Sequence, residues 1–328
     1  MGDSQTSNIE HVTQDTAGVL NNYKLLNKQH IHDTGVFANK SVYFAGGGSG
    51  GEVILSHHAS LNFAEPGGGS TKPFSISMWV YFLNPTLAAP TKQYLFRKGN
   101  FDDSTLREYA AYVYNSTLVF ELHDESTDGT RKAVVDTALT VSDKRWQNII
   151  FSSRGTGGSA ADLSVSIDGV VVASTNLDFG SYTAMEDASS RAFIGSEDTE
   201  CYIADVSLWN VDINDTDNAP AEIYNNGCPY NLVKTPLTYL ATSNLLGWWK
   251  MANDPLDAID GTGNSGASNI LKDSAGGNDA LPDSGFTDSS IIKLKGPCVE
   301  KEGFIPFSLG VPGVIFRRRR SAHQTNLD

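Results

Sequence analysis

The chain has 328 residues, a formal net charge of −14, 31 glycines and three cysteines. Its length suits one large β core with roughly 100 residues to spare for arms and extensions. The acidic balance argues against a body that binds nucleic acid or an anionic membrane by charge, and no apolar run approaches the ~20 residues of a membrane-spanning helix.

The charge is unevenly placed. Residues 317–328 carry four arginines and one aspartate, a net +3, which leaves −17 for the rest. The cysteines, Cys201, Cys228 and Cys298, have no CxxC spacing. Such a sparse, odd set predicts free thiols, with a Cys201–Cys228 pair as the alternative.

In chain order, residues 1–40 are polar and read as an N-terminal arm. The first residues contain neither a basic stretch nor an apolar one, so no secretory signal is expected. The sequons at Asn39, Asn115 and Asn214 are then chance matches. Residues 41–65 open a sandwich, with Gly-rich turns at 46–51 and 67–69. No Lys-Ser/Thr follows Gly46–Gly51, which removes a phosphate-cradling reading.

Next comes Phe74-Ser-Ile-Ser-Met-Trp-Val, in which apolar and polar residues alternate as in a half-buried strand. Further strands are predicted near 93–98, 108–115, 117–123, 131–136, 146–153, 163–168 and 170–175. Asn115-Ser116 and Asp168-Gly169 are the expected hairpin turns. Ile203-Ala-Asp-Val-Ser-Leu-Trp-Asn reads as a last long strand, and Ala219–Asn225 as a short helix that Gly227 is suited to end.

Residues 41–233 thus read as the sandwich and 234–295 as an extension packed on it through a strand carrying Trp248 and Trp249. That strand either returns to its own sandwich or completes a neighbour's. Adjacent tryptophans face opposite ways in a strand, so one is expected in the core and the other, Trp248, is a candidate for contact with a sugar or partner. Residues 296–328 form a Pro-spaced strap with a basic end: Phe304, Phe307, Leu309, Val311, Ile315 and Phe316, then Arg317, Arg318, Arg319 and Arg320. Burying four such apolar side chains is worth about 6–10 kcal/mol before ordering costs, so the strap should dock on a protein partner.

Catalytic patterns are sparse. Asp102-Asp103 and Asp124-Glu125 are adjacent pairs, and Glu197 and Glu200 stand three apart in a turn; all are expected to be solvated loop charges. His57-His58 is the only adjacent histidine pair, with no HExxH spacing around it. No G-x-S-x-G or Cys–His arrangement is present. The reading is non-enzymatic.

The ordered set Phe74, Trp79, Trp146, Asp168, Gly169, Gly195, Asp205 and Trp209 resembles the laminin-G-like jelly roll of the concanavalin A-like lectin and glucanase superfamily over roughly residues 41–233. There a strand F-S-x-S-x-W-V precedes W-x-x-[IV]-x-[VF], an x-D-G hairpin, an x-I-G and a strand ending D-V-x-[IVL]-W-N. The resemblance implies an all-β antiparallel sandwich with extended N- and C-terminal arms. It also implies that Trp79, Trp146 and Trp209 are core residues. The family's glucanases carry E-x-D-x-E on one strand; no such run is found here. Relatives often hold calcium, for which Asp102, Asp103, Asp198 and Glu200 are the nearest candidates, without a spacing that singles them out. No cofactor is therefore expected.

With Leu245-Leu-Gly-Trp-Trp-Lys-Met and Asp273-Ser-Ala-Gly-Gly-Asn-Asp, the chain is similar to structural proteins of tailed, especially marine, bacteriophages. That resemblance implies a capsid decoration or other virion surface part, made in the host cytoplasm and docked on other subunits through its arms. The alternative is a carbohydrate-binding, lectin-like adhesin.

Overall fold

The computed structural model describes residues 40–297 except 48–50, 66–68, 86–90, 102–105, 137–144, 156–161, 234–236, 258–269, 284–285, 287–291 and 294–296. Two antiparallel sheets face each other across one apolar core. In chain order the strands are β1 (Ser41–Ala45), β2 (Val53–Leu55), β3 (Phe74–Phe82), β4 (Gln93–Asn100), β5 (Leu106–Tyr114) and β6 (Thr117–Asp124). They continue with β7 (Gly129–Val135), β8 (Gln147–Ser153), β9 (Leu163–Ile167), β10 (Val170–Val171), β11 (Ser174–Phe179), β12 (Ala192–Ile194) and β13 (Glu200–Trp209). Among the described residues one α-helix, α1 (Ala219–Tyr224), precedes β14 (Leu245–Trp249), β15 (Ala280–Pro282) and β16 (Ile292–Lys293).

Sheet I runs β10-β9-β8-β3-β13-β1-β16, with β14 also on β13; sheet II runs β11-β7-β6-β5-β4-β12-β2-β15. The alternation seen in the sequence sets the faces. On β3, Phe74, Ile76, Met78, Val80 and Phe82 enter the inter-sheet core. There Phe74 stacks on Phe63 with ring centroids 4.1 Å apart. Both expected hairpin turns form with positive φ at their two central residues: Asn115 and Ser116 at 49° and 63°, Asp168 and Gly169 at 52° and 80°. This is the turn whose twist matches the strands it joins. Gly195 at φ 75° lies against Phe44, and a Cβ there would sit 2.0 Å from that ring. Only glycine fits the position.

The predicted strand 170–175 is two strands. β10 closes the β9 hairpin in sheet I, and β11 crosses to pair with β7 in sheet II. Gly227, at φ 96°, closes the 3-10 turn that follows α1, and α1 itself ends where predicted, capped by Asn225 at φ 45°. Asparagine's short polar side chain tolerates this left-handed position.

β13 changes partner midway. Residues 200–203 pair with β1, while 206–209 pair with β14 on the same side. The switch falls at Asp205, φ 52°, where the pairing with β3 on the other side also shifts register. The 245–249 segment is therefore an edge strand of its own chain's sandwich.

Sheet I is covered on its core face and over much of its outer face. Its outer face carries a second apolar cluster, including Trp209, Ile213, Ile223, Leu232, Leu240 and Trp248. Trp79 is buried on that side too, stacked on Tyr224 of α1 at 5.7 Å. Trp79 and Trp209 are thus buried, but outside the inter-sheet core. Trp146 is only half-buried, edge-on to Tyr81, because it precedes the first paired residue of β8.

The thiols bear out the sequence reading at Cys201 and correct it at Cys228. Cys201 is free and fully buried, whereas Cys228 is disulfide-bonded, and not to Cys201. Cys201 sits on β13 with its side chain in the inter-sheet core. Cys298 lies outside the described residues.

Candidate functional site

The outer face of sheet II has a different chemistry. On β6, Leu118, Phe120 and Leu122 point into the core. Val119, Glu121 and His123 therefore face outward, at the two-residue period of a strand. Glu121 is fully buried even so, beneath the side chains of Lys92, Lys132, Tyr112 and His123. Lys92 Nζ lies 3.2 Å from Oε1 and Lys132 Nζ 2.9 Å from Oε2. Tyr112 donates its hydroxyl to Oε2 at 2.8 Å, and His123 Nε2 lies 3.2 Å from Oε1. Burial alone would favour the neutral acid, but the contact with His123 and the charges of His123, Lys92 and Lys132 outweigh it. They hold the Glu121 carboxyl well below the usual carboxylate range.

Strand register carries this chemistry across the sheet. A single row runs Leu177–Lys132–Glu121–Ala110–Arg97–Phe193–Ile54–Leu281, one residue from each of the eight strands. Beside it run Thr175–Val134–Val119–Tyr112–Tyr94 and, on the other flank, Phe179–Thr130–His123. Cations and rings interleave along these rows. Lys92 Nζ is 4.6 Å from the Tyr112 ring centre, and the Arg97 guanidinium is 4.4 Å from Phe193 and 5.4 Å from Tyr94. Lys132 Nζ is 5.6 Å from Phe179. Such contacts keep long side chains extended over the sheet. Arg97 also pairs with Glu52, the residue before β2. Among the described residues no helix or strand lies over this face, and Tyr94, Phe101, Tyr114 and Phe193 are half-buried while Phe179 is exposed.

The sequence contained a signal for this site. Glu121, His123 and Glu125 stand on alternate positions, E-x-H-x-E. The pattern is not a hydrolytic pair. Glu121 is saturated and inaccessible, and Glu125 lies beyond the end of β6, where its Oε1 accepts from Arg107 Nε at 3.0 Å.

Asp124 corrects the expectation of a solvated loop charge. It is buried and clamps the 181–187 loop, accepting from the backbone N–H of Thr183 at 2.7 Å and of Ala184 at 3.2 Å. It also accepts from Thr127 N–H and Ser126 Oγ. Burial opposes its charge, but these bonds win and pull its pKa down to about 2. Glu186 answers from the loop, accepting from the N–H groups of Glu125 and Ser126.

Of the predicted interaction residues, Trp248 is not at the surface. It is 1% exposed and donates Nε1–H to Asp205 Oδ1 at 2.7 Å. Trp249 is buried on the opposite face, in the inter-sheet core. Both tryptophans are hidden because each falls in an apolar cluster, one on either side of β14. Phe304, Phe307, Ile315, Phe316 and Arg317 to Arg320 lie outside the described residues, as do Asp102 and Asp103. His58 caps a single helical turn, its Nδ1 accepting from Ser60 N–H. Among the described residues, no three His, Cys, Asp or Glu side chains converge to hold a metal ion.

The sequence model of the Laminin_G_3 family, described as the concanavalin A-like lectin/glucanases superfamily, matches residues 49–217. No curated protein matches the chain. Solved structures similar to it include the binding domain of botulinum neurotoxin DC in complex with SialylT, at 13% identity and a TM-score of 0.39, covering 57% of this chain and 42% of that one. The binding domain of botulinum neurotoxin serotype D gives 11%, 0.40, 65% and 50%. Domains LG4-5 of the mouse laminin alpha1 chain give 11%, 0.35, 55% and 44%. In each case the chain spans half or less of that structure's length, and the likeness is one of fold.

Proposed function

The chain belongs to the concanavalin A-like lectin/glucanases superfamily, and we propose that it is a non-catalytic glycan-recognition module that binds through the outer face of sheet II. The observation that carries this reading is the contrast between the two outer faces. Much of the outer face of sheet I is occupied by its own chain, from Trp209 through α1 to Trp248, beside the half-buried rings of Tyr43, Tyr81 and Tyr202. The outer face of sheet II carries half-buried rings beside fixed polar groups. Rings stack on the C–H faces of a sugar, and flanking ammonium and guanidinium groups donate to its hydroxyls. Glu121 binds no ligand itself. It holds Lys92, Lys132 and Tyr112 in place, and a carboxylate so enclosed offers no general acid or nucleophile.

A glycan array probed with the intact protein tests this. Phe193→Ala and Tyr94→Ala should each weaken binding of any glycan that registers, with melting nearly unchanged because both residues lie on the outer face. An array without hits, or hits indifferent to both substitutions, refutes the reading.

A second reading rests on the sequence: a virion surface part whose arms dock on other subunits. It is favoured by the apolar strap that ends in Arg317–Arg320 on a body of charge −17. Its test is deletion of residues 304–328. Loss of incorporation into an assembly, with unchanged melting of the sandwich, supports it; incorporation indifferent to the deletion and to salt ends it.

A further inference from the structure

Resting on the glycan reading, we infer that the ligand is a linear, uncharged polysaccharide lying across the strands rather than a terminal sugar. The recognition groups are not gathered at one point. They are spread across the sheet at right angles to its strands, with Lys132, Arg97 and Phe193 on one register row, Tyr112 and Tyr94 on the row to one side, Phe179 on the row to the other, and Lys92 just before β4. From β11 to β12 are five strand steps, about 24 Å. One strand step is close to the length of one sugar residue in an extended chain, so the row accommodates on the order of five residues. A terminal sugar would touch only one or two of these groups.

The charges on the row favour a neutral chain. Lys92 and Lys132 share Glu121, and Arg97 is paired with Glu52. An acidic polymer would have to draw the lysines off Glu121, leaving a buried carboxylate with fewer partners. It would also approach a protein of net charge −14. A chain of hydroxyls accepts from the outward N–H bonds of the same lysines without breaking those pairs, and its C–H faces rest on the rings.

The experiment is affinity electrophoresis of the intact protein in gels containing hydroxyethylcellulose, linear mannan, laminarin, alginate or heparin. Calorimetry follows with oligomers of the retarding polymer, from the monosaccharide upward. A neutral polymer is expected to retard the protein, and affinity should climb on the order of tenfold or more from the disaccharide to the pentamer. Phe179→Ala and Phe193→Ala, near opposite ends of the row, should each shorten the length over which affinity climbs. A mono- or disaccharide that binds as tightly as the polymer overturns the row while leaving glycan recognition intact. Retardation by alginate or heparin alone, lost in salt, does the same. Failure of every glycan, on the array and in the gels, overturns both. Phe179 is 50% exposed, so its variant should fold, and unchanged melting checks this.

Discussion

Replacing Asp205 by asparagine should stabilise the protein at alkaline pH and change little at acid pH. Asp205 is buried at the point where β13 changes partner, and its carboxylate accepts from Trp248 Nε1–H. Burial raises its pKa to about 7, against the opposing effects of the Trp248 bond and the Lys250 charge. In the unfolded chain the group titrates near its ordinary 3.8. The raised acid therefore contributes fully below that value, and its contribution falls as pH rises, until the folded form too is ionised above about 7. The difference between the two pKa values corresponds to about 4 kcal/mol, an order-of-magnitude figure. Asparagine keeps an oxygen for Trp248, tolerates the φ of 52°, and never ionises. Urea denaturation of both proteins near pH 4 and pH 8 measures the difference. The variant should match wild type near pH 4 and exceed it by about 2–4 kcal/mol near pH 8. An equal difference at both values would show that ionisation of Asp205 is not the cause.

Trp79→Ala and Trp209→Ala should each cost about 3–5 kcal/mol by denaturant titration, whereas half-buried Trp146→Ala should cost under about 2; reversal of that order would contradict the packing described. Glu121→Leu removes the group that positions Lys92, Lys132 and Tyr112, so glycan affinity should drop while the fold survives, since both lysines reach solvent. Unaltered affinity would detach Glu121 from the binding face. Ending the chain after Val233 strips β14 from β13 and uncovers Trp209, so light scattering should report aggregation; a soluble monomer of unchanged stability would contradict this.

The sandwich was legible because its strands alternate cleanly and its turns carry Asn115-Ser116 and Asp168-Gly169, where left-handed backbone is needed. What alternation does not say is which sheet face meets which partner. Trp79 and Trp209 read as core residues and are buried, yet under α1 and its flanking segments rather than between the sheets, because residues 210–249 build a second apolar layer. The same layer hides Trp248, which local reasoning left for a partner. The strand predicted at 170–175 is split by a crossing that uniform β propensity conceals. The recognition face was the least legible. Glu121 and His123 are ordinary outward positions on β6 until register sets Lys132, Tyr112 and Arg97 beside them, and register is a long-range property.

The shared edge of β13 also governs the order in which the molecule can be completed. β1 is flanked by β13 on one side and β16 on the other, and Val42 meets Ile292 across 250 residues of chain. β2 likewise waits for β15, where Ile54 meets Leu281. A chain emerging from the ribosome therefore carries both strands with no partner until β12 and β13 are made, and with one edge open until nearly all the described residues have followed; folding dominated by such distant pairings is slow. Their safe passage through synthesis depends on time and chaperoning rather than on local structure, and production at low temperature or with added chaperones should raise the yield of native protein more than changes to the surface would.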